Sequence, residues 1–143
     1  ECPYVRKHYG AENMQKTQKS AVDSGVVWLS VISSAPGEEG HVDGAEALKI
    51  AQDRGAHPTE IILDPKGTIG QMYGARTTPH MYIIDPEGAL KYMGGIDSIP
   101  SARTSDIAKA TNYVTVALNE RAAGKRVPSP ATRPYGCSVK YAW

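Results

Sequence analysis

Cysteine is scarce in this sequence: Cys2 and Cys137 stand at opposite ends of a 143-residue chain. Two thiols cannot build a disulfide framework or a four-cysteine zinc site. The four histidines, His8, His41, His57 and His80, fall at no ligand spacing such as H-x-x-x-H, so no metal site is indicated. A Gly-rich phosphate loop is also absent, because Gly94-Gly95 has neither the downstream Lys nor the helix that a phosphate cradle needs. No cofactor is therefore expected. No apolar run approaches the ~20 residues of a membrane helix. Charge of either sign is not in excess: 16 basic side chains against 15 acidic give a net charge of +1. That balance offers no electrostatic reason to expect nucleic acid or an anionic membrane as partner. No signal peptide is visible, which says little about location in a sequence that opens on Glu1.

What is present reads as one globular domain. The length suits a single domain with a real core, and 41% hydrophobic with 22% charged residues argues against disorder. Residues 2–23 read as one helix, with Pro3 in its first turn and Gln15, Lys16, Gln18 and Lys19 on its exposed side. Residues 26–32 (VVWLSVI) form a short apolar, β-branched run that reads as a buried strand. Residues 33–42 have loop chemistry. Residues 43–54 read as a helix with Asp43 as N-cap and Gly55 as its stop. Residues 59–63 read as a strand, 68–73 as a short helix ended by Gly74, and 80–84 as a strand. The turn Asp85-Pro86-Glu87-Gly88 joins the last to 89–93 in an antiparallel hairpin. Residues 104–123 read as a long helix capped by Thr104 or Ser105, with the stripe Ile107, Ala110, Val114, Ala117, Leu118 and Ala122, and Gly124 stops it. A folded domain over 1–126 and a Gly/Pro/Ser-containing flexible tail over 127–143, which carries Cys137, follow as the organisation. Alternating helices and strands indicate an α/β sandwich around a mixed sheet.

Cys2 stands directly before a helix start. Unpaired amides and a partial positive charge collect there, and both favour the nucleophilic thiolate. Arg6, one turn on, falls on the same face; His8 is less well placed. The alternative is a buried, inert cysteine, and position alone does not separate the two. A C-x-x-C pair would need a cysteine where Val5 stands. Cys2 must therefore resolve with Cys137, with another chain, or with a small thiol, which is the logic of a peroxidase passing through a sulfenic acid.

Three stretches together resemble a known family. Cys2-Pro3-Tyr4-Val5-Arg6-Lys7-His8-Tyr9 is similar to the active-site helix start of the peroxiredoxin-like branch of the alkyl hydroperoxide reductase/thiol-specific antioxidant (redoxin) family. Residues 73–88 (YGARTTPHMYIIDPEG) resemble the thioredoxin-fold segment with a cis Thr-Pro peptide, a strand and a hairpin turn. Pro134-Tyr135-Gly136-Cys137-Ser138-Val139-Lys140-Tyr141 resembles the Gly-Cys-Ser tail of the same branch. With the loop at 33–37, the resemblance covers nearly the whole chain.

The resemblance implies a thioredoxin-like α/β sandwich, with a mixed central sheet flanked by helices. It implies Cys2 as the peroxidatic or otherwise nucleophilic thiol, with Cys137 resolving it. Pro79 would be cis beside the thiol, so that Pro3, Thr78 and Pro79 line the substrate and a partner chain can pair with the exposed backbone. Arg76 would add positive charge near the thiolate, or remain a surface arginine. His80 adjoins Pro79 and could lie near the thiol, although packing is its commoner role. Cys137 could instead form a structural disulfide with Cys2, worth ~4–5 kcal/mol through lost unfolded-chain entropy. The chain departs from the family at two points: only Glu1 precedes Cys2, where relatives carry a Thr or Ser three residues earlier, and the first central strand is missing. The expectation is a piece of a longer protein, or a strand supplied by another chain.

The function expected is peroxide reduction by the Cys2 thiolate, with a thioredoxin-like or small-thiol reductant. The alternatives are a thiol–disulfide oxidoreductase acting on protein disulfides, and a non-enzymatic thioredoxin-fold module that holds peptides. A homodimer is an open option. An exported, periplasmic location is favoured because an oxidising compartment suits a Cys2–Cys137 bond, with the cytoplasm as the alternative.

Overall fold

The helix that follows Cys2 is broken in two. In this computed structural model, which describes residues 2–142, α1 spans Pro3–Gly10 and α2 spans Asn13–Asp23. Glu1 and Trp143 lie outside the described residues. The single helix expected over 2–23 gives way at Gly10, a weak helix former, and Glu12 turns left-handed at φ 60°. At the break Tyr9 O accepts from Glu12 N at 3.1 Å and, at 2.9 Å, from the side-chain amide Gln15 Nε2. The same amide donates at 2.8 Å to Arg54 O, at the end of another helix. Gln15 and Gln18, expected on the exposed side, are therefore buried, with Gln18 Oε1 accepting from His57 N at 2.8 Å. Lys16 and Lys19 are exposed, as their charge requires.

The strands form ribbons rather than one sheet. β1 (Leu29–Ile32) pairs in parallel with β2 (Glu60–Leu63), in the register Leu29↔Glu60 to Ile32↔Leu63. Between them α3 (Gly44–Arg54) makes the crossover. Asp43 accepts from Glu46 N at its start, and Gly55 adopts φ +62° at its end, the capping the sequence predicts. After α4 (Thr68–Tyr73) comes the two-residue β3 (Thr77–Thr78). β4 (Met81–Ile84) and β5 (Leu90–Gly94) then form the expected antiparallel hairpin, closed by Asp85 Oδ1 accepting from Glu87 N and Ala89 N. β6 (Cys137–Ser138) pairs antiparallel with β3. Among the described residues the three ribbons are not hydrogen-bonded into a continuous sheet, so the mixed central sheet of the sequence reading is present only as separate parallel and antiparallel pairs.

The long helix expected over 104–123 is also interrupted. Thr104–Lys109 is a 3-10 helix, and only Tyr113–Ala122 is α-helical (α5). The chain between them pairs with residues 96–98 instead: Ser98 N donates to Thr111 O, and Tyr113 N to Ile96 O, both at 3.0 Å. Asn112, not Thr104 or Ser105, caps α5 by accepting from Thr115 N. Val114 and Ala117 from the expected stripe are buried. The core gathers Met14, Ile96, Val114 and Tyr135, with Tyr4, Tyr9, Trp28, Met81, Ile83 and Leu118 packed against them.

Residues 130–141, expected as a flexible tail, are docked along the body. Met93 N donates to Pro130 O, Thr132 N to Met93 O, Val139 N to Arg76 O and Ala35 N to Lys140 O. Tyr141 donates its hydroxyl to Ala75 O at 2.8 Å.

Candidate active site

The two ends of the chain meet at the N-terminus of α1. Cys2 is the N-cap residue, in an extended conformation, and Pro3 occupies the first helical position. Pro3 has no amide hydrogen, so the first helix donors facing the cap are Tyr4 N and Val5 N. Cys137 arrives on β6, whose register sets it opposite Thr78. The Cys2 and Cys137 sulfurs lie 2.6 Å apart, both cysteines are half-buried, and neither is bonded to another cysteine.

The Thr78-Pro79 peptide is cis, as the resemblance implied. Thr78 O lies 3.4 Å from Cys2 Sγ, which puts the cis-proline strand beside the thiol. One edge of that strand is taken by the protein's own β6. This contact depends on Gly136, whose φ is +144°, since a Cβ there would run into Thr78 O. Glycine supplies both the conformation and the clearance.

The two thiols are electrostatically unlike. Burial works against ionisation of Cys2, but hydrogen bonds from the Cys137 thiol and from the amides of Val5, Cys137 and Tyr4 outweigh it, and Cys2 sits below the usual thiol range. Burial, then the adjoining Cys2 sulfur, push Cys137 up to about 11, against a smaller opposing effect of Lys140. The shifts run in opposite directions, so Cys2 is the sulfur of the pair that ionises first, beside a Cys137 that holds its proton.

The remaining sequence candidates fall outside this pair. Arg76 and Arg6 are exposed, and neither is among the groups that shift Cys2. The charge of Arg76 acts instead on His80 and Tyr82. His80 stacks on Tyr82 with ring centroids 4.7 Å apart and accepts from Arg76 N through Nδ1. Among the described residues, no three of His, Cys, Asp and Glu are grouped to hold a metal ion, and no helix is long and apolar enough to cross a membrane.

Sequence reasoning missed a polar cluster behind the cysteines. Lys7, His8, Asp97 and Tyr135 are all buried. The Tyr135 hydroxyl donates to Asp97 Oδ1 at 2.6 Å, accepts from Lys7 Nζ at 3.1 Å, and lies 3.0 Å from His8 Nε2. Lys7 also donates to Ile99 O at 3.2 Å, and its ammonium stands 3.9 Å from Asp97 Oδ2. Burial holds His8 down at about 4, with the Asp97 charge opposing and the Lys7 charge reinforcing that shift. Burial also lowers Lys7, against the pull of Asp97. No spacing links positions 7, 8, 97 and 135; the one legible hint was a Lys-His pair on a helix beside a cysteine.

No family model matches the chain, and no curated protein does. In structure it is similar to an uncharacterized conserved protein from Geobacillus kaustophilus, with a TM-score of 0.84 and 23% identity over 99% of this chain and 72% of that one. It is also similar to a hypothetical protein from Sinorhizobium meliloti 1021, with a TM-score of 0.79 and 19% identity over 99% of this chain and 75% of that one. At these identities the likeness is one of fold: a small mixed α/β domain.

Proposed function

We propose that the chain is a thioredoxin-like, peroxiredoxin-like thiol oxidoreductase in which Cys2 reduces a peroxide and Cys137 resolves the product. The observation that carries the reading is the meeting of the two cysteines, sulfurs 2.6 Å apart, with Cys2 biased towards thiolate and Cys137 towards thiol. The Cys2 thiolate attacks one peroxide oxygen, and the O–O bond breaks. The leaving oxygen departs as water or alcohol after taking a proton, and Cys2 becomes a sulfenic acid. Cys137 sulfur then attacks the Cys2 sulfur, its proton leaves with the hydroxyl as water, and a Cys2–Cys137 disulfide remains. Two electrons from a dithiol of thioredoxin type, or from two small thiols, return both cysteines to thiols.

The cis Thr78-Pro79 peptide beside Cys2 supports a thioredoxin-like sandwich. One further strand, paired with β1 away from β2 and with β4 away from β5, would join those two ribbons into its mixed sheet. Exchange with protein disulfides, and peptide holding without chemistry, are supported less well. Both need a chain laid along the cis-proline strand, one edge of which β6 already takes. A small oxidant needs no such strand. The reading extends to an oxidising, periplasmic setting for the Cys2–Cys137 pair.

The test is the rate of thiol oxidation by hydrogen peroxide in the wild type, Cys2→Ser and Cys137→Ser. Fast oxidation lost in Cys2→Ser, with a trappable sulfenic acid in Cys137→Ser, is expected. A Cys2 that reacts no faster than a free thiol would overturn peroxide reduction and leave disulfide exchange as the better account.

A further inference from the structure

We propose that Tyr135 is a positioning residue for the cysteine pair: its hydroxyl, locked to Lys7, His8 and Asp97, sets where Cys137 stands relative to Cys2. The inference rests on reading the two cysteines as a redox pair.

The phenol's hydrogen-bonding capacity is fully used. A tyrosine hydroxyl has one proton to give and two lone pairs to offer. The proton goes to Asp97 Oδ1, and the lone pairs accept from Lys7 Nζ and His8 Nε2. That assignment requires a neutral His8 with its hydrogen on Nε2, leaving Nδ1 to accept. Asn13 Nδ2 lies 2.9 Å from Nδ1 and is the matching donor. A neutral imidazole is also what burial enforces. Rotating the phenol away would leave the buried His8 Nε2 donor unpaired and take one partner each from Lys7 and Asp97, which keep only Ile99 O and Ile99 N as hydrogen-bond partners, and that is costly.

The lock joins the two thiols mechanically. Lys7 and His8 lie on α1, the helix that begins just after Cys2. Tyr135 precedes Cys137 by two residues, and its ring packs edge-on against Tyr4 of the same helix, centroids 5.8 Å apart. Between Tyr135 and Cys137 stands only Gly136, pressed against Thr78. The segment therefore has little freedom at either end, and the hydroxyl ties the Cys137 backbone to the helix that carries Cys2. In the resolving step, Cys137 thiol plus Cys2 sulfenic acid yields disulfide plus water. Both its rate and the stability of the disulfide rise with the effective concentration of one sulfur at the other.

The experiment compares wild type and Tyr135→Phe, which keeps the ring and its contact with Tyr4. The dithiol–disulfide equilibrium of the pair is measured in dithiothreitol buffers, a readout that needs no peroxide. The expected result is an at least tenfold smaller constant for disulfide formation, ~30 mV towards the oxidising side. In peroxide, the sulfenic acid of Tyr135→Phe should persist at least tenfold longer, the slowing falling on the resolving step rather than on the oxidation step. A purely structural hydroxyl would lower unfolding stability and leave the constant within twofold of wild type, and that result overturns the proposal. Should Tyr135→Phe fail to fold, Asp97→Asn, which keeps an oxygen acceptor, is measured instead; an at least threefold shift supports the proposal and none overturns it. A wild type that forms no Cys2–Cys137 disulfide in any buffer would remove the redox-pair reading itself.

Discussion

The two sides of this molecule are finished to different degrees. Around the cysteines, α1, α2, α5 and the C-terminal segment enclose Ile96, Val114 and Met14 with almost no exposure, and polar side chains such as Lys7, His8, Gln18 and Asp97 are buried with them. Around β1, β2 and α3, apolar side chains face outward: Val27 is 65% exposed, Leu48 60% and Leu29 53%. A strand with only one hydrogen-bonded neighbour has an unpaired edge, and a helix lying on a two-stranded ribbon covers little of it. Burial that holds a site in place is thus concentrated where the sulfurs meet, while the β1–β2–α3 side contributes less to the molecule's stability than its apolar content suggests.

Substitutions can break or sharpen that contrast. The largest effect is expected from Ile96→Ala, where a fully buried side chain leaves a cavity in the enclosed side; unfolding stability in urea should fall by about 4 kcal/mol. Gly136→Ala should come next. Its methyl would meet the Thr78 carbonyl, and its φ of +144° disfavours any side chain, so a loss of about 3 kcal/mol is expected. Disulfide formation between Cys2 and Cys137 should fall with it in the same preparation, scored by non-reducing mass analysis.

A pH titration reads the buried cluster. Folding depresses His8 from 6.5 to about 4. Between those values the unfolded chain binds the extra proton and the folded one does not. Stability is therefore fully present above about 6.5 and falls as pH drops towards 4, by on the order of 3 kcal/mol across the window. Asp97, Lys7 and Tyr135 face the imidazole and share in the balance. Denaturation curves of His8→Gln should lose most of that slope; an unchanged slope would assign it to other groups. The smallest effect is expected from Leu48→Ala on the open side, within about 0.5 kcal/mol. A loss comparable to that of Ile96→Ala would erase the contrast.

Legibility in the sequence followed the range of the interaction. Asp43, Gly55, Gly74 and the Asp85–Gly88 turn act on their own neighbours, and each does what its residue type predicts. The two long helices were misread because their breaks answer to distant partners. Gln15 bonds Arg54 O, thirty-nine residues away, and residues 111–113 pair with 96–98. Gly10 is the local signal at the first break, whereas the second is set by the pairing of residues 111–113 with 96–98. Cys2, Cys137, Thr78 and Pro79 were legible as motif residues, whereas Arg76 was a motif position whose side chain went to the surface.

The sequence by itself determined the alphabet of the site: two thiols, a proline at the first helical position, glycines where the backbone turns left-handed, and no metal-ligand spacing. It also determined most element positions, because capping and turn chemistry act within a few residues. Only the tertiary structure decided that the ends of the chain meet, that β6 occupies the cis-proline strand, and that Lys7, His8, Asp97 and Tyr135 share one buried hydroxyl. Those contacts span up to 135 residues. Each is selected by burial and by the cost of leaving buried polar groups unpaired, and both are properties of the packed molecule rather than of any stretch of it.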